Sequence, residues 1–252
     1  MKKFFLLLFL LLIISGVAFF KFNTDPEVIL KGSAVAGTSE GQELSYQINL
    51  FAIFSMGNAR FYAPIDEKYK GKDTYHLRAV AQSLDYFSSF FSGSALLDSY
   101  IDTRALNPVM FSQKILIKGK PELAREVLYD QKKGVITTFK GERAIPPDTL
   151  EPLSAIFRLR RMNFDTVKDF QMFINTNQKT YVLTGVATKK TIRKGAQTFH
   201  VVRVLADIRR QDKDNPYHRT KMEMYLLQDK ENLPFMINVV ASGVFINVRL
   251  SE

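Results

Sequence analysis

Apolar and polar side chains alternate with a period of two over most of this chain, the signature of strands with one buried face. Leu44, Tyr46, Ile48, Leu50, Ala52, Phe54 and Met56 fall on one face of a long first strand, against Ser45, Gln47 and Asn49 on the other. Similar runs predict strands near 74–81, 94–102, 109–117, 124–130, 134–139, 169–175, 180–188, 198–210, 221–228 and 234–250. Turn-forming clusters separate them, among them Asp130-Gln131-Lys132-Lys133-Gly134, Asn175-Thr176-Asn177-Gln178 and Asp229-Lys230-Glu231-Asn232. Ser242-Gly243 interrupts the last run and reads as a bulge or bend rather than a break. Short connections between successive strands favour an antiparallel meander.

Helical spacing replaces this rhythm twice. Val80, Leu84, Phe87 and Phe91 predict an amphipathic helix over 79–92. Over 148–162, Asp148 and Glu151 form a D-x-x-E capping pattern and Pro152 suits the first turn. Leu153, Ile156, Phe157 and Leu159 then supply an apolar stripe. Arg158, Arg160 and Arg161 cluster at the end of this segment, where cations complement the helix dipole. The predicted fold is mainly β: one large curved antiparallel sheet, a half-open barrel or roll, with one or two short helices.

Residues 1–20 are read as a signal peptide or an N-terminal signal anchor. Lys2 and Lys3 precede an apolar run from Phe4 to Phe20, with a small-residue cleavage site at Gly16-Val17-Ala18. The run lies at the short end of a bilayer span, so cleavage is the preferred reading and retention the alternative. No cysteine follows it, which excludes lipoprotein processing. Residues 21–40 form a spacer and 41–252 one β-rich extracytoplasmic domain. The expected location is the periplasm, either soluble or tethered to the inner membrane through residues 4–20.

The absence of cysteine excludes disulfides, zinc–thiolate sites, iron–sulfur clusters and a thiol nucleophile. The net charge of +10 ordinarily raises nucleic acid as a partner. For an exported chain the relevant anions are instead phospholipid headgroups, acidic polysaccharide and lipopolysaccharide phosphates, and no nucleic-acid partner is expected. A plainly solvated basic surface accounts for the same charge.

Catalytic chemistry is thinly represented. His76, His200 and His218 are the only histidines, and none stands at ligand spacing from another histidine or a carboxylate. The chain contains no nucleophile elbow, zincin motif or phosphate-binding loop. Ser94 lies near Asp85 and Asp98 without an organised base, and Asp66-Glu67 or Asp98/Asp102 are possible carboxylate pairs of the glycosidase kind. Neither a catalytic residue, a metal site nor a cofactor is expected.

A set of segments resembles the bacterial family called domain of unknown function 3108. These are Gly41-Gln42-Glu43-Leu44-Ser45-Tyr46, then Ser99-Tyr100-Ile101-Asp102 followed by Leu106-Asn107-Pro108 and Phe111. Next comes Pro152-Leu153-Ser154-Ala155-Ile156-Phe157-Arg158-Leu159-Arg160, and last Met224-Tyr225-Leu226-Leu227-Gln228-Asp229 with Leu233-Pro234 and Gly243. The resemblance spans Gly41 to Leu250, and its order and spacing carry it. Met224-Tyr225-Leu226 stands where the family usually has a tryptophan. The resemblance implies a β-rich envelope protein and supplies no catalytic residues.

A curled sheet with a helix over its mouth encloses an apolar cavity, the usual setting for a lipid. The large apolar side chains Phe51, Phe54, Met56, Phe87, Phe90, Phe91, Met172, Phe173, Phe235 and Phe245 are the candidate lining, with solid core packing as the plain alternative. Arg158, Arg160, Arg161, Lys189, Lys190, Arg193 and Lys194 are the candidate contacts for an anionic headgroup or membrane surface. The expected function is that of a non-enzymatic envelope protein binding a lipid, glycolipid or other amphiphile. The alternatives are an assembly factor docking onto an envelope complex and a polysaccharide-active enzyme.

Overall fold

A computed structural model describes residues 43–84, 93–176, 178–194, 197–212, 219–229 and 232–251. The strands of the first half are β1 (Glu43–Leu50), β2 (Phe54–Tyr69), β3 (Lys72–Ser83), β4 (Gly93–Asp102), β5 (Pro108–Ile117), β6 (Leu123–Asp130), β7 (Val135–Thr138) and β8 (Gly141–Ala144). A helix, α1 (Pro152–Arg160), separates them from β9 (Asp169–Thr176), β10 (Lys179–Lys194), β11 (Gln197–Arg210), β12 (Thr220–Leu227), β13 (Pro234–Ala241) and β14 (Val244–Leu250).

All of these strands belong to one antiparallel sheet of 14 strands, in the order β8-β7-β6-β5-β4-β3-β2-β1-β14-β13-β12-β11-β10-β9. Every neighbour is a chain neighbour except one pair: β1 meets β14, with Tyr46 opposite Leu250 and Leu50 opposite Ile246. That pairing turns two meanders into one sheet and leaves β8 and β9 as its edges, with α1 in the connection between them. The β9 edge is covered by the residues that lead into the helix, since Leu150 N–H donates to Phe173 O at 2.8 Å and Asn175 N–H donates to Leu150 O at 2.7 Å. From the β8 side, the Arg143 guanidinium donates to the Gln178 carbonyl in the β9–β10 turn. Unpaired edges invite association with other chains, and these contacts blunt both.

The expectation of a mainly β, curved antiparallel sheet with a short helix holds. Several local readings do not. The long strand through Met56 breaks at Phe51 and Ala52, whose φ values of 51° and 61° turn the chain into a hairpin. No glycine or proline marks that turn, so periodicity runs through it. Ser242 and Gly243, at φ 50° and 75°, make a tight hairpin turn between β13 and β14 rather than a bend within one strand. Residues 79–83 of the anticipated first helix extend β3, where Ala79 pairs with Phe61 and Leu97; residues 85–92 lie outside the described residues.

Of the packed clusters that make up the interior, two on the concave face are bridged by α1. Leu150, Ala155 and Leu159 join Met172, Ile174, Leu183, Val204, Ile208 and Met224 on one side. Leu153 and Phe157 join Leu77, Ile101, Phe111, Tyr129 and Ile136 on the other. The convex face carries a polar ladder across the closure. Asn49 Nδ2 donates to Asn247 Oδ1 at 3.4 Å, Asn247 Nδ2 to Asn238 Oδ1 at 2.8 Å, Asn238 Nδ2 to Glu223 Oε2 at 3.1 Å, and Arg203 Nε to Glu223 Oε1 at 2.6 Å. Through Glu223 its rungs are direct cross-strand partners on β1, β14, β13 and β12, and Arg203 on β11 reaches Glu223 diagonally, so slipping any of these strands by one residue would send its rung to the other face.

The cap of α1 is Glu151 and not Asp148, which instead sits at φ 54° and accepts a bond from Asn107 Nδ2. Glu151 has no solvent exposure; it accepts from Leu153 N–H at 2.8 Å and Ser154 N–H at 2.6 Å, and from Ser99 Oγ on β4 at 2.8 Å. Burial raises the pKa of this carboxyl, and the bonds from Ser99, Leu153 and Ser154 offset only part of that rise. Replacing Glu151 with Ala strips two helix N–H groups and one buried hydroxyl of their acceptor, and should cost about 2–4 kcal/mol in denaturant unfolding. Glu151→Gln keeps an acceptor oxygen and should lose markedly less; equal losses in the two variants would mean that the cap does not secure the helix.

Candidate functional site

Between α1 and the concave face lies an apolar cavity of about 170 Å³. A water requires roughly 10–15 Å³ on this scale, and an apolar cavity of about 150 Å³ in another protein stays dry and accepts benzene. The helix contributes Pro152, Leu153, Ala155, Ile156 and Leu159, and the sheet contributes residues from both meanders, among them Ile48, Phe61, Leu97, Leu183, Met224 and Val248.

The space has a sequence cause. Ala59 stands opposite Ala81, and Ala81 opposite Ala95, so three adjacent strands present methyl groups side by side toward the helix. Ala79 and Ala155 line the same cavity. Larger residues at these positions would close it. Among the described residues, Gln113 and Thr176 are the polar ones in the wall.

A smaller pocket of about 20 Å³ adjoins the cavity, sharing Phe111, Gln113 and Thr176 with it. Its other walls come from Arg125, Val127 and Tyr129 on β6, Phe139 in the β7–β8 turn, and Asn175 and Gln178 around the β9–β10 turn. It therefore sits at the seam where the two edges of the sheet approach each other.

Among the described residues, none of the aromatic and methionine side chains anticipated as lining forms the wall of this cavity. Met172 packs in the interior cluster with Leu150 and Leu159, one alternation step from Ile174 of the wall. Phe51 lies in the β1–β2 turn, Phe54 begins β2 at 54% exposure, and Met56 follows it half-buried. Phe173 and Phe245 alternate to the face opposite Ile174 and Ile246. Phe235 packs in a separate cluster with Ile192, Val201, Tyr225 and Leu227. Phe87, Phe90 and Phe91 lie outside the described residues. Large side chains fill an interior; the alanines that leave one open carry the signal, as A-x-A at Ala79–Ala81 and in the runs around Ala59 and Ala95.

The basic candidates divide in two. Arg158 is tied into the fold, its Nη2 donating to Ala105 O at 2.7 Å and Asn107 Oδ1 at 2.6 Å, and burial lowers its pKa. The Arg161 guanidinium lies 5.2 Å from the Phe157 ring centroid, and Arg160 is half-buried, its carbonyl accepting from Asn232 Nδ2 at 2.9 Å. Lys189, Lys190 and Arg193 project from β10 as exposed residues, Lys189 paired with Asp165. Lys194 ends that strand, and its side chain lies outside the described residues.

Titratable side chains on the convex face serve as strand ties. Asp98 accepts from His76 Nε2 and Arg78 Nε, each at 2.7 Å, while His76 Nδ1 lies 3.2 Å from Glu67 and its ring stacks on Tyr100 at 4.4 Å. Burial pushes the Asp98 pKa up, but the bonds from His76 and Arg78 together outweigh it and hold the carboxyl below its usual range. Asp102 accepts from the N–H groups of Arg104 and Ala105, which makes it a turn cap. His200 is exposed on β11; His218 and Asp85 lie outside the described residues. Among the described residues no cluster of three or more His, Asp or Glu could hold a metal ion.

Fold and cavity together define a β-barrel-like protein whose open sheet wraps an internal helix. The chain belongs to the family described as "Protein of unknown function (DUF3108)", whose model matches residues 45–244. It is similar in structure to a β-barrel-like protein of the domain of unknown function DUF1849 from Brucella abortus, with a TM-score of 0.61 and 10% identity over 83% of this chain and 95% of that one. No curated protein matches it.

If the alanine patch leaves real space, Ala95→Leu should be tolerated or should raise stability by about 0.5–2 kcal/mol, because the added methylenes enter the cavity. A close-packed interior would instead lose about 1–3 kcal/mol to overpacking. Denaturant unfolding of the variant separates the two.

Proposed function

We propose that this chain is a non-enzymatic protein of the cell envelope that holds a hydrophobic or amphiphilic ligand, of lipid or glycolipid class, between α1 and the sheet. The apolar cavity carries this reading: it is larger than a packing defect, nearly free of polar groups, and walled by both halves of the sheet. The export reading of residues 1–20 supports an envelope location, where lipids and glycolipids are the abundant apolar ligands. Lys189, Lys190 and Arg193 offer an exposed basic edge to an anionic surface. Phe139, 79% exposed beside Lys140 at the seam, supplies the kind of aromatic–cationic tip that rests in a membrane interface. The carboxylates and histidines of the convex face are occupied in cross-strand bonds, which favours a binding role over catalysis.

The direct test is to express the full chain with its own N-terminal segment in an exporting host, purify it without detergent, and extract it for lipid mass spectrometry. A stoichiometric lipid or glycolipid is the expected result, reduced in Ala95→Leu. Protein that is free of lipid, fully folded and indifferent to added lipid would contradict the reading.

A further inference from the structure

The seam pocket beside the cavity holds a polar group that the fold leaves unused. The Tyr129 hydroxyl is buried and has no hydrogen-bond partner. Gln113, 4% exposed, faces both the cavity and the pocket with its side-chain amide. A buried donor without a partner is destabilising, and buried side-chain amides and hydroxyls in folded proteins are nearly always satisfied. Such a hydroxyl, with the Gln113 amide beside it at one end of an apolar cavity, points to a ligand that is polar at that end. The sign of its charge follows from β6. Arg125 is the direct cross-strand partner of Gln113 and so shares its face, lining the same pocket. Glu126, which also borders the pocket, alternates to the other face of β6. A guanidinium beside an amide and a phenol is a donor set for an oxyanion.

We propose that the seam pocket is a head-group site: an amphiphile whose chain lies in the cavity places an anionic carboxylate or phosphate head against Tyr129, Gln113 and Arg125. The inference rests on the ligand-binding reading above and adds the end at which the head sits and its charge. Burial on β4, β5 and α1 holds the chain, and β6 with the β9–β10 turn holds the head. The ligand therefore enters and leaves where the edges of the sheet meet, not through the β1–β14 side, which is closed by strand pairing.

The test compares ligands that share a chain and differ in the head: dodecanoate, dodecyl phosphate and methyl dodecanoate, titrated calorimetrically into the full chain purified without detergent and stripped of bound lipid. The wild type should bind at least one of the two anions roughly tenfold more tightly than the ester, the difference expected of charge-assisted hydrogen bonds. The stronger of the two anions identifies the head. Arg125→Gln and the near-isosteric Tyr129→Phe should erase most of that preference while leaving ester affinity and thermal unfolding near the wild type. Equal affinity for ester and anions, or an undiminished preference in both variants, would overturn the head-group site while leaving the cavity reading intact. Failure of all three ligands to bind would overturn both.

Discussion

The bond between Ser99 on β4 and the carboxylate of Glu151 fixes where α1 lies inside the sheet, and the rest of the concave side follows from it. A helix of nine residues is too short to be stable alone in water. It persists because Glu151 satisfies its first turn while Leu153, Phe157, Ala155 and Leu159 are buried against strands from both meanders. The carboxylate is taken fully out of solvent to do this, at a desolvation cost seen in its raised pKa. Leu150, immediately before the cap, pairs along β9 and covers that edge. One short segment thus caps the helix, tethers it to β4 and protects the sheet.

Closure at β1–β14 supplies the opposite constraint. The ladder from Asn49 through Asn247, Asn238 and Glu223 to Arg203 holds five strands in register on the convex face, and on the concave face the same strands bring Ile48, Val248, Ile237 and Met224 to the cavity. Curvature set by closure and a helix set by its cap leave a gap only where the facing side chains are small. Ala59, Ala81 and Ala95 are those side chains.

Much of the strand architecture was legible because period-two alternation reports one buried face directly. The helix was legible from Pro152 and the stripe from Leu153 to Leu159, although its cap lies three residues beyond Asp148. Three features left no local trace. The turn at Phe51 and Ala52 uses apolar residues at positive φ, so alternation passes through it. The pairing of β1 with β14 joins residues some two hundred positions apart, which no local pattern records. The cavity was sought among phenylalanines and methionines, the residues that fill space; Phe235 and Phe245 are buried away from it. Empty volume is a property of what is missing, and alternating alanines on three neighbouring strands become meaningful only once those strands are known to be adjacent.

The ligand-binding proposal depends on the interior beside α1 being an apolar space that a molecule can enter. A crystal structure of the lipid-stripped protein under xenon pressure tests it most directly, since xenon enters dry apolar cavities without needing a shape or a charge to recognise. A xenon atom bounded by Ala81, Ala95, Ala155 and Leu183 is expected, and lost in Ala95→Leu. An interior collapsed around α1 with no xenon in it would contradict the account.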